Sequence, residues 1–408
     1  MEDKSLRPLF SIPVIVAALG YFVDIYDLLL FGIVRVPSLR SLGVEETDLL
    51  KQGEFLINVQ MTGLLIGGLI WGIMGDKRGR LSVLFGSILL YSLANIANGL
   101  VTSVNQYAIL RFVAGVGLAG ELGAGITLVT EILPIRLRSY GTTLVASVGI
   151  LGAVFANFIA RQFDWRAAYF IGGGLGLVLL LARISVFESG VFLKLKEQPV
   201  QRGNFFQLFT QWNRFIRFLG CIFIGLPTWF VIGILITFSP EFGVALGIDT
   251  PIAAGDAIMY SYIGITVGGF ASGFISEAMH SRRRVVLLYL VLTFIFLVLY
   301  LFNPSASATF FYTSCFLLGI GVGYWAMFVT IAAEQFGTNL RSTVATSVPN
   351  FIRGTLVPLV LAFRFMRNEV GVIHGALWVG LATLVIALIA LRSVDETFGR
   401  DLNFVEED

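Results

Sequence analysis

Apolar residues run along this chain in long blocks, separated by short clusters of Lys, Arg, Asp, Glu, Gly and Pro. A helix rises about 1.5 Å per residue, so about 20 apolar residues cross a hydrocarbon core about 30 Å thick. Twelve blocks of that kind can be placed, at roughly 10–33, 55–75, 81–101, 108–130, 141–160, 167–187, 215–238, 258–275, 285–302, 307–333, 342–363 and 371–391. Backbone N–H and C=O groups cannot be left unpaired in lipid, so each block predicts a helix. The pattern therefore predicts an all-α integral membrane protein with twelve transmembrane helices.

The polar break ESGVFLKLKEQPVQRGNFFQLFTQWNR, at 188–214, falls near the midpoint. The expected organisation is an N-terminal six-helix bundle over 1–187, a cytoplasmic linker over 188–214, a C-terminal six-helix bundle over 215–391 and a cytoplasmic tail over 392–408. The two halves repeat weakly. GGLIWGIMGDKRGR from Gly67 aligns with GGFASGFISEAMHSRRR from Gly268, so that Gly72 meets Gly273 and Asp76 meets Glu277. EILPIRLRS from Glu131 aligns with EQFGTNLRS from Glu334, pairing Arg138 with Arg341. The aligned positions lie about half the chain apart, so the bundles are expected to be pseudo-symmetric copies of one unit.

Composition agrees. Of 408 residues, 56% are hydrophobic and 13% charged, against about 25% charged in soluble domains, so most of the exterior must meet lipid. A net charge of +2 without a basic run points away from nucleic acid. Cys221 and Cys315 both fall in apolar blocks and imply neither a disulfide framework nor a metal site. The first residues, MEDKSLRPLF, lead straight into an apolar block and read as the approach to a first membrane helix, not as a removed signal peptide. With the N-terminus inside, inward loops hold most of the Lys and Arg, including Lys77, Arg78, Arg80 and Arg282 to Arg284. Outward loops hold fewer: Arg35, Arg40, Lys51, Arg161, Arg166, Arg364 and Arg367. The positive-inside rule then puts both termini in the cytoplasm.

These motifs resemble the major facilitator superfamily. GGLIWGIMGDKRGR is similar to its loop 2–3 signature, which implies that Asp76, Arg80 and their counterpart Glu277 are inner-gate residues. RFVAGVGLAGELGAG from Arg111 is similar to the fourth-helix pattern R-x-x-x-G-x-x-x-G-G-E of metabolite–proton symporters, matched at Gly115, Gly120 and Glu121, with Ala119 in place of one glycine. The inner-loop element E-x-x-P-x-x-x-R is matched at Glu131, Pro134 and Arg138, with Glu334 and Arg341 as second-half counterparts in the gate. DETFGRDLNFVEED looks like the E-T-x-G-R-x-L ending of sugar porters and their organic-acid relatives. The seventh helix, CIFIGLPTWFVIGILITFSPEF, lacks the paired glutamines with which sugar porters hold a hexose, which argues against a sugar substrate.

Charges inside the blocks are the candidate chemistry. Asp24 and Asp27, in YFVDIYDLLLF, stand three apart and so share one helix face. At bilayer depth a charged side chain costs about 2.5–3.5 kcal/mol on insertion scales, so such groups face a wet cavity, a partner or a proton. Counting the rise puts Asp27 about 25 Å from the inner end of the first helix and Arg111 about 6 Å from the outer end of the fourth. Both come to nearly one level. YDLLLFG is similar to a sugar-porter segment whose Asp faces the Arg of the fourth helix. Asp27 is expected to carry the proton and Arg111 to hold its carboxylate; a static pair that fixes helix packing is the other reading. Asp24 resembles the first acid of an E-W-Y-D pattern, with Ile25 replacing Trp, and is a second proton-site candidate or a hydrogen-bonding residue.

Glu121 and Arg353 come to similar mid-membrane depth from opposite halves. Arg353, in TSVPNFIRGTLVP, is suited to clamp a carboxylate or phosphate, or else pairs with Glu121 or a backbone carbonyl. Pro349, Gly354 and Pro358 would loosen the helix around it. Trp229, Tyr324 and Trp325 lie on the seventh and tenth helices, which line the cavity in the resembled superfamily, and are candidates for its wall.

The reading is a secondary transporter moving a small organic anion by alternating access with proton symport. It is expected to be a monomer in a bacterial inner membrane, without a cofactor or metal. The rival within the same family is an exporter or proton-independent carrier of a cationic or neutral solute, drawn by Glu121 and the two Asp. An enzyme is disfavoured, since no nucleotide loop, metal-ligand cluster or nucleophile–base pair stands out.

Overall fold

The computed structural model describes residues 7–78, 80–120, 129, 133, 135–188, 205–302, 307–399 and 406. Its helices are α1 (Ile12–Ser41), α2 (Leu49–Arg78), α3 (Arg80–Asn98), α4 (Val104–Leu118), α5 (Ile135–Gln162), α6 (Trp165–Glu188), α7 (Trp212–Phe223), α8 (Leu226–Phe230), α9 (Ser239–Ala245), α10 (Ala254–Met279), α11 (Arg282–Leu301), α12 (Ala308–Gly321), α13 (Trp325–Glu334), α14 (Thr338–Gly354), α15 (Leu356–Val370) and α16 (Val372–Ala390). Each of the twelve apolar blocks carries helix. Among the described residues, nine helical segments are long and apolar enough to cross a membrane.

The chain divides into two compact units, Met1–Phe31 with Gly63–Arg202 and Gly32–Thr62 with Gly203–Asp408. The end of α1 and the start of α2 thus belong to the second unit, and the rest of both helices to the first.

Inside each unit one helix contact is built the same way. A Cβ at Gly63 or Gly67 of α2 would collide with the carbonyls of Phe112 and Val116 on α4. A Cβ at Gly264 or Gly268 of α10 would collide with the carbonyls of Phe316 and Ile320 on α12. Gly117 lies on the backbone of Tyr91 in α3, as Gly321 lies on that of Thr293 in α11. The weak sequence repeat is therefore a repeat of backbone-to-backbone approach. Lipid tails are as apolar as leucine, so helices in a bilayer gain from close van der Waals contact, which glycine permits.

Helix starts are set by polar capping. Ser103 accepts from the Gln106 N–H at 3.4 Å while the Gln106 side chain accepts from the Thr102 N–H at 2.9 Å. Ser281 accepts from the Arg284 N–H at 3.2 Å and opens α11. His280 ends α10 in the left-handed region, at φ 48°.

The second unit interrupts the seventh, tenth and eleventh helices; the sequence predicts loosening only in the eleventh, around Arg353. The seventh stops at Ile224, resumes as α8 and passes through a π-helical turn at Val231–Ile236. The tenth breaks between α12 and α13, and the eleventh at Thr355. Pro227 and Pro358 each lack the N–H that the carbonyl four residues earlier would accept. Thr228 N–H turns to Gly225 O at 3.0 Å, and the freed Ile224 carbonyl accepts instead from the Tyr324 hydroxyl at 2.8 Å. The Leu235 carbonyl, in the π turn, accepts from the Tyr300 hydroxyl at 2.6 Å.

Candidate functional site

The first unit gathers the predicted acids and Arg111. Asp24, Asp27 and Arg111 are all fully buried. Asp27 Oδ1 lies 2.5 Å from where a Cβ on Gly172 of α6 would stand, so that glycine makes room for the carboxylate. Arg111 and Asp24 are both close enough for their charge to act on Asp27. Arg111 donates from Nη2 to Asn95 Oδ1 of α3 at 2.5 Å. Its Cζ lies 4.9 Å from the centre of the Tyr169 ring, and the Tyr169 hydroxyl shares a 2.6 Å hydrogen bond with that of Tyr107. The result is a buried cation held by an amide and an aromatic face, with its charge acting on the Asp27 carboxylate. A carboxylic acid placed beside a fixed cation in this way is chemically able to hold and release a proton.

The second unit places Arg353 at the end of α14, just before the break at Thr355. It is 1% exposed. Its Cζ lies 5.8 Å from the Trp229 ring centre, within cation–π range. Trp229 meets Trp325 edge to face at 6.3 Å, and Trp325 stacks on Phe328 at 5.2 Å. The Trp229 Nε1 is buried and, among the described residues, has no hydrogen-bond acceptor. Tyr324 is also buried here, but its hydroxyl is committed to the Ile224 carbonyl. One guanidinium, one indole N–H and three aromatic rings thus come together where three helices are interrupted.

At the gate positions, Glu334 accepts from Arg282 Nη2 at 2.8 Å. Burial pushes its carboxyl above the ordinary range, against the pull of Arg282 and Arg341. Glu277 is exposed. Asp76, Arg80 and Arg138 lie on described helices, but their side chains, like Glu121 and Glu131 altogether, fall outside the described residues. Glu396 of the E-T-x-G-R element accepts from the Ser281 hydroxyl and from the backbone N–H groups of Arg282 and Arg283. Burial alone would raise its pKa, but these donors outweigh it and hold the carboxyl at about 2.

Asn95, Tyr107, Tyr169 and Phe328 were not among the sequence candidates. Asn95 carries a signal in hindsight, as an amide inside the apolar block 81–101. The tyrosines and Phe328 carry none, since aromatics are common throughout membrane helices.

The family model described as Major Facilitator Superfamily matches residues 17–358. The chain belongs to that superfamily; it is a multi-pass membrane transporter and not an enzyme. Over 384 residues it is 25% identical to the sialic acid transporter NanX of Escherichia coli, covering 91% of this chain and 92% of that one. Over 431 residues it is 23% identical to the niacin transporter NiaP of Acinetobacter baylyi, covering 96% and 95%. The crystal structure of a D-xylose–proton symporter matches with a TM-score of 0.67 at 16% identity, over 95% of this chain and 99% of that one.

Proposed function

We propose that this transporter carries a small organic anion, an aromatic carboxylate, together with protons by alternating access. The observation that carries the reading is Arg353 buried against Trp229, with Trp325 and Phe328 behind it. A guanidinium pairs with a carboxylate through two parallel N–H donors, the Trp229 Nε1 adds a third, and the rings offer flat apolar faces to a ring of the solute. The relatives named for sialic acid and niacin are named for carboxylates, and niacin has an aromatic ring. Asp27 takes the role of proton carrier and Arg111 that of its charged partner, with Asp24 as a second acid in the same pocket.

Purified protein in proteoliposomes tests the reading. Benzoate and nicotinate are expected to accumulate when the outside is made acidic, and acetate and protonated amines are not. Both aromatic acids should also raise the melting temperature, because a ligand at about 100 times its dissociation constant adds about 2.7 kcal/mol to the native state. Arg353→Ala should lose that stabilisation while keeping its unliganded melting temperature. Equal stabilisation of Arg353→Ala and wild type would remove Arg353 from the site.

A further inference from the structure

Arg214 and Arg217 of α7 stand three apart and so share one face of its first two turns. Neutral groups of the fold hold both in place. Arg214, its side chain 1% exposed, donates from Nη1 to the Gln207 carbonyl at 2.9 Å and to the Thr210 hydroxyl at 3.2 Å. Arg217 donates from Nη1 to the Gln335 carbonyl, just past α13, at 2.9 Å, and its Cζ lies 5.1 Å from the Phe336 ring centre. Gln335 is itself fixed, because its side chain donates to the Asp395 carbonyl at 2.7 Å and accepts from the Asp395 N–H at 3.3 Å. All of these residues belong to the second unit. Into this frame comes a carboxylate from beyond α16. Glu406 Oε2 accepts from Arg217 Nη2 at 3.2 Å and lies 3.6 Å from Arg214 Nε, and its Oε1 lies 3.2 Å from Arg217 Nη1.

Charge-assisted N–H···O⁻ bonds are about 2.7–2.9 Å long, so Glu406 spans two guanidiniums without closing fully on either. It brings one negative charge to two positive ones. A phosphate monoester carries about −1.5 to −2 charges at pH 7 and three strong acceptor oxygens, enough to neutralise both arginines and to reach both at once. The Arg217 side chain is 22% exposed, so the pair is open to solution. We propose that Arg214 and Arg217 form a binding site for a phosphate group, and that Glu406 is its tethered, displaceable occupant. On the positive-inside rule the group comes from the cytoplasm, either on a soluble molecule or on a lipid headgroup. A short flexible tether presents its group at an effective concentration of millimolar order, so the tail masks the site against scarce anions and yields to abundant or better-fitting ones. None of these residues is assigned to the solute, so the site stands apart from the choice of solute or coupling ion.

Phosphorus NMR of inorganic phosphate, titrated with the purified protein in detergent at constant ionic strength, reads the site directly. Wild type is expected to broaden the phosphate signal weakly and Glu406→Gln strongly, with half-saturation at about tenfold lower phosphate once the tethered competitor is gone. Glu369→Gln removes the same charge from an exposed position on α15 and is expected to behave as wild type. Arg214→Gln/Arg217→Gln/Glu406→Gln is expected to lose binding, whereas Arg353→Ala/Glu406→Gln is expected to keep it. In nanodiscs of Glu406→Gln, phosphatidate that abolishes the broadening assigns the group to a lipid headgroup, and phosphatidate without effect assigns it to a soluble molecule. Glu406→Gln that binds no better than wild type overturns the proposal, whether or not the arginine variants fold, since a purely structural ion pair behaves that way. An equal gain in Glu369→Gln overturns it too, as does binding that survives the loss of both arginines.

Discussion

Arg111 donates to Asn95 at 2.5 Å while its charge reaches Asp27. The guanidinium therefore has an anchor that does not titrate beside one that does. When Asp27 is neutralised by a proton, Arg111 keeps the amide and the Tyr169 face and is not left as a bare buried charge. That arrangement is what the proposed proton-carrying role of Asp27 would require of Arg111.

Asn95→Leu should therefore impair proton-driven uptake more than exchange. A hydrogen bond to a charged group is worth about 1.5–3 kcal/mol, so net uptake should fall about tenfold or more, with solute counterflow less affected. Asp27→Asn should abolish the response to a pH gradient and leave counterflow. The two assays run on one batch of proteoliposomes check this, and full gradient-driven uptake by Asp27→Asn would end the coupling role.

The repeated glycine contacts make a second prediction. Overpacking a well-fitted interior costs about 1–3 kcal/mol, and at Gly264 the added atoms would meet the Phe316 carbonyl, which cannot rotate away. Gly264→Val and its first-half counterpart Gly63→Val should each lower stability by about 3 kcal/mol. Gly273→Ala, with open space around the new atom, should change little. Thermal unfolding in detergent distinguishes them.

Glu396 sets a pH dependence. Its folded pKa, about 2, lies below the ordinary 4.5, so its stabilising contribution is complete above about pH 4.5 and is lost as pH falls through about 2. Glu396→Gln should cost about 1 kcal/mol at neutral pH, a capping contribution, because water screens this exposed carboxylate. The gap in stability between wild type and variant should close between pH 4.5 and pH 2. A gap unchanged across that window would show that the carboxylate's charge is not what Ser281 and the helix start are holding.

Much of this protein is legible in one dimension because the bilayer imposes one-dimensional rules. A span must be apolar for about 20 residues, so block length alone located the helices. Backbone approach in lipid needs small residues at helical spacing, so Gly67 and Gly268 already marked the repeat, while Gly63 and Gly264 were found only as backbone contacts. Rise per residue put Asp27 and Arg111 at one level, and both are fully buried, with the Arg111 charge acting on Asp27.

Other facts needed the fold. Arg35 and Arg367 looked like loop cations, yet each meets a buried or half-buried acid far away in the chain, Glu241 and Glu54. Tyr324 looked like a wall of the solute site, yet its hydroxyl serves the Ile224 carbonyl at the break in the seventh helix, where the Thr228 N–H turns to Gly225 O instead. Sequence alone determined which stretches are apolar enough to cross a membrane as helices, how far along each helix its charges stand and that a glycine-marked helix segment occurs twice. Tertiary structure alone decided which charges neutralise one another and which polar groups are already spent. Depth is a sum of local rises, whereas partnership depends on the rotation and crossing of helices, which the whole packing must settle at once.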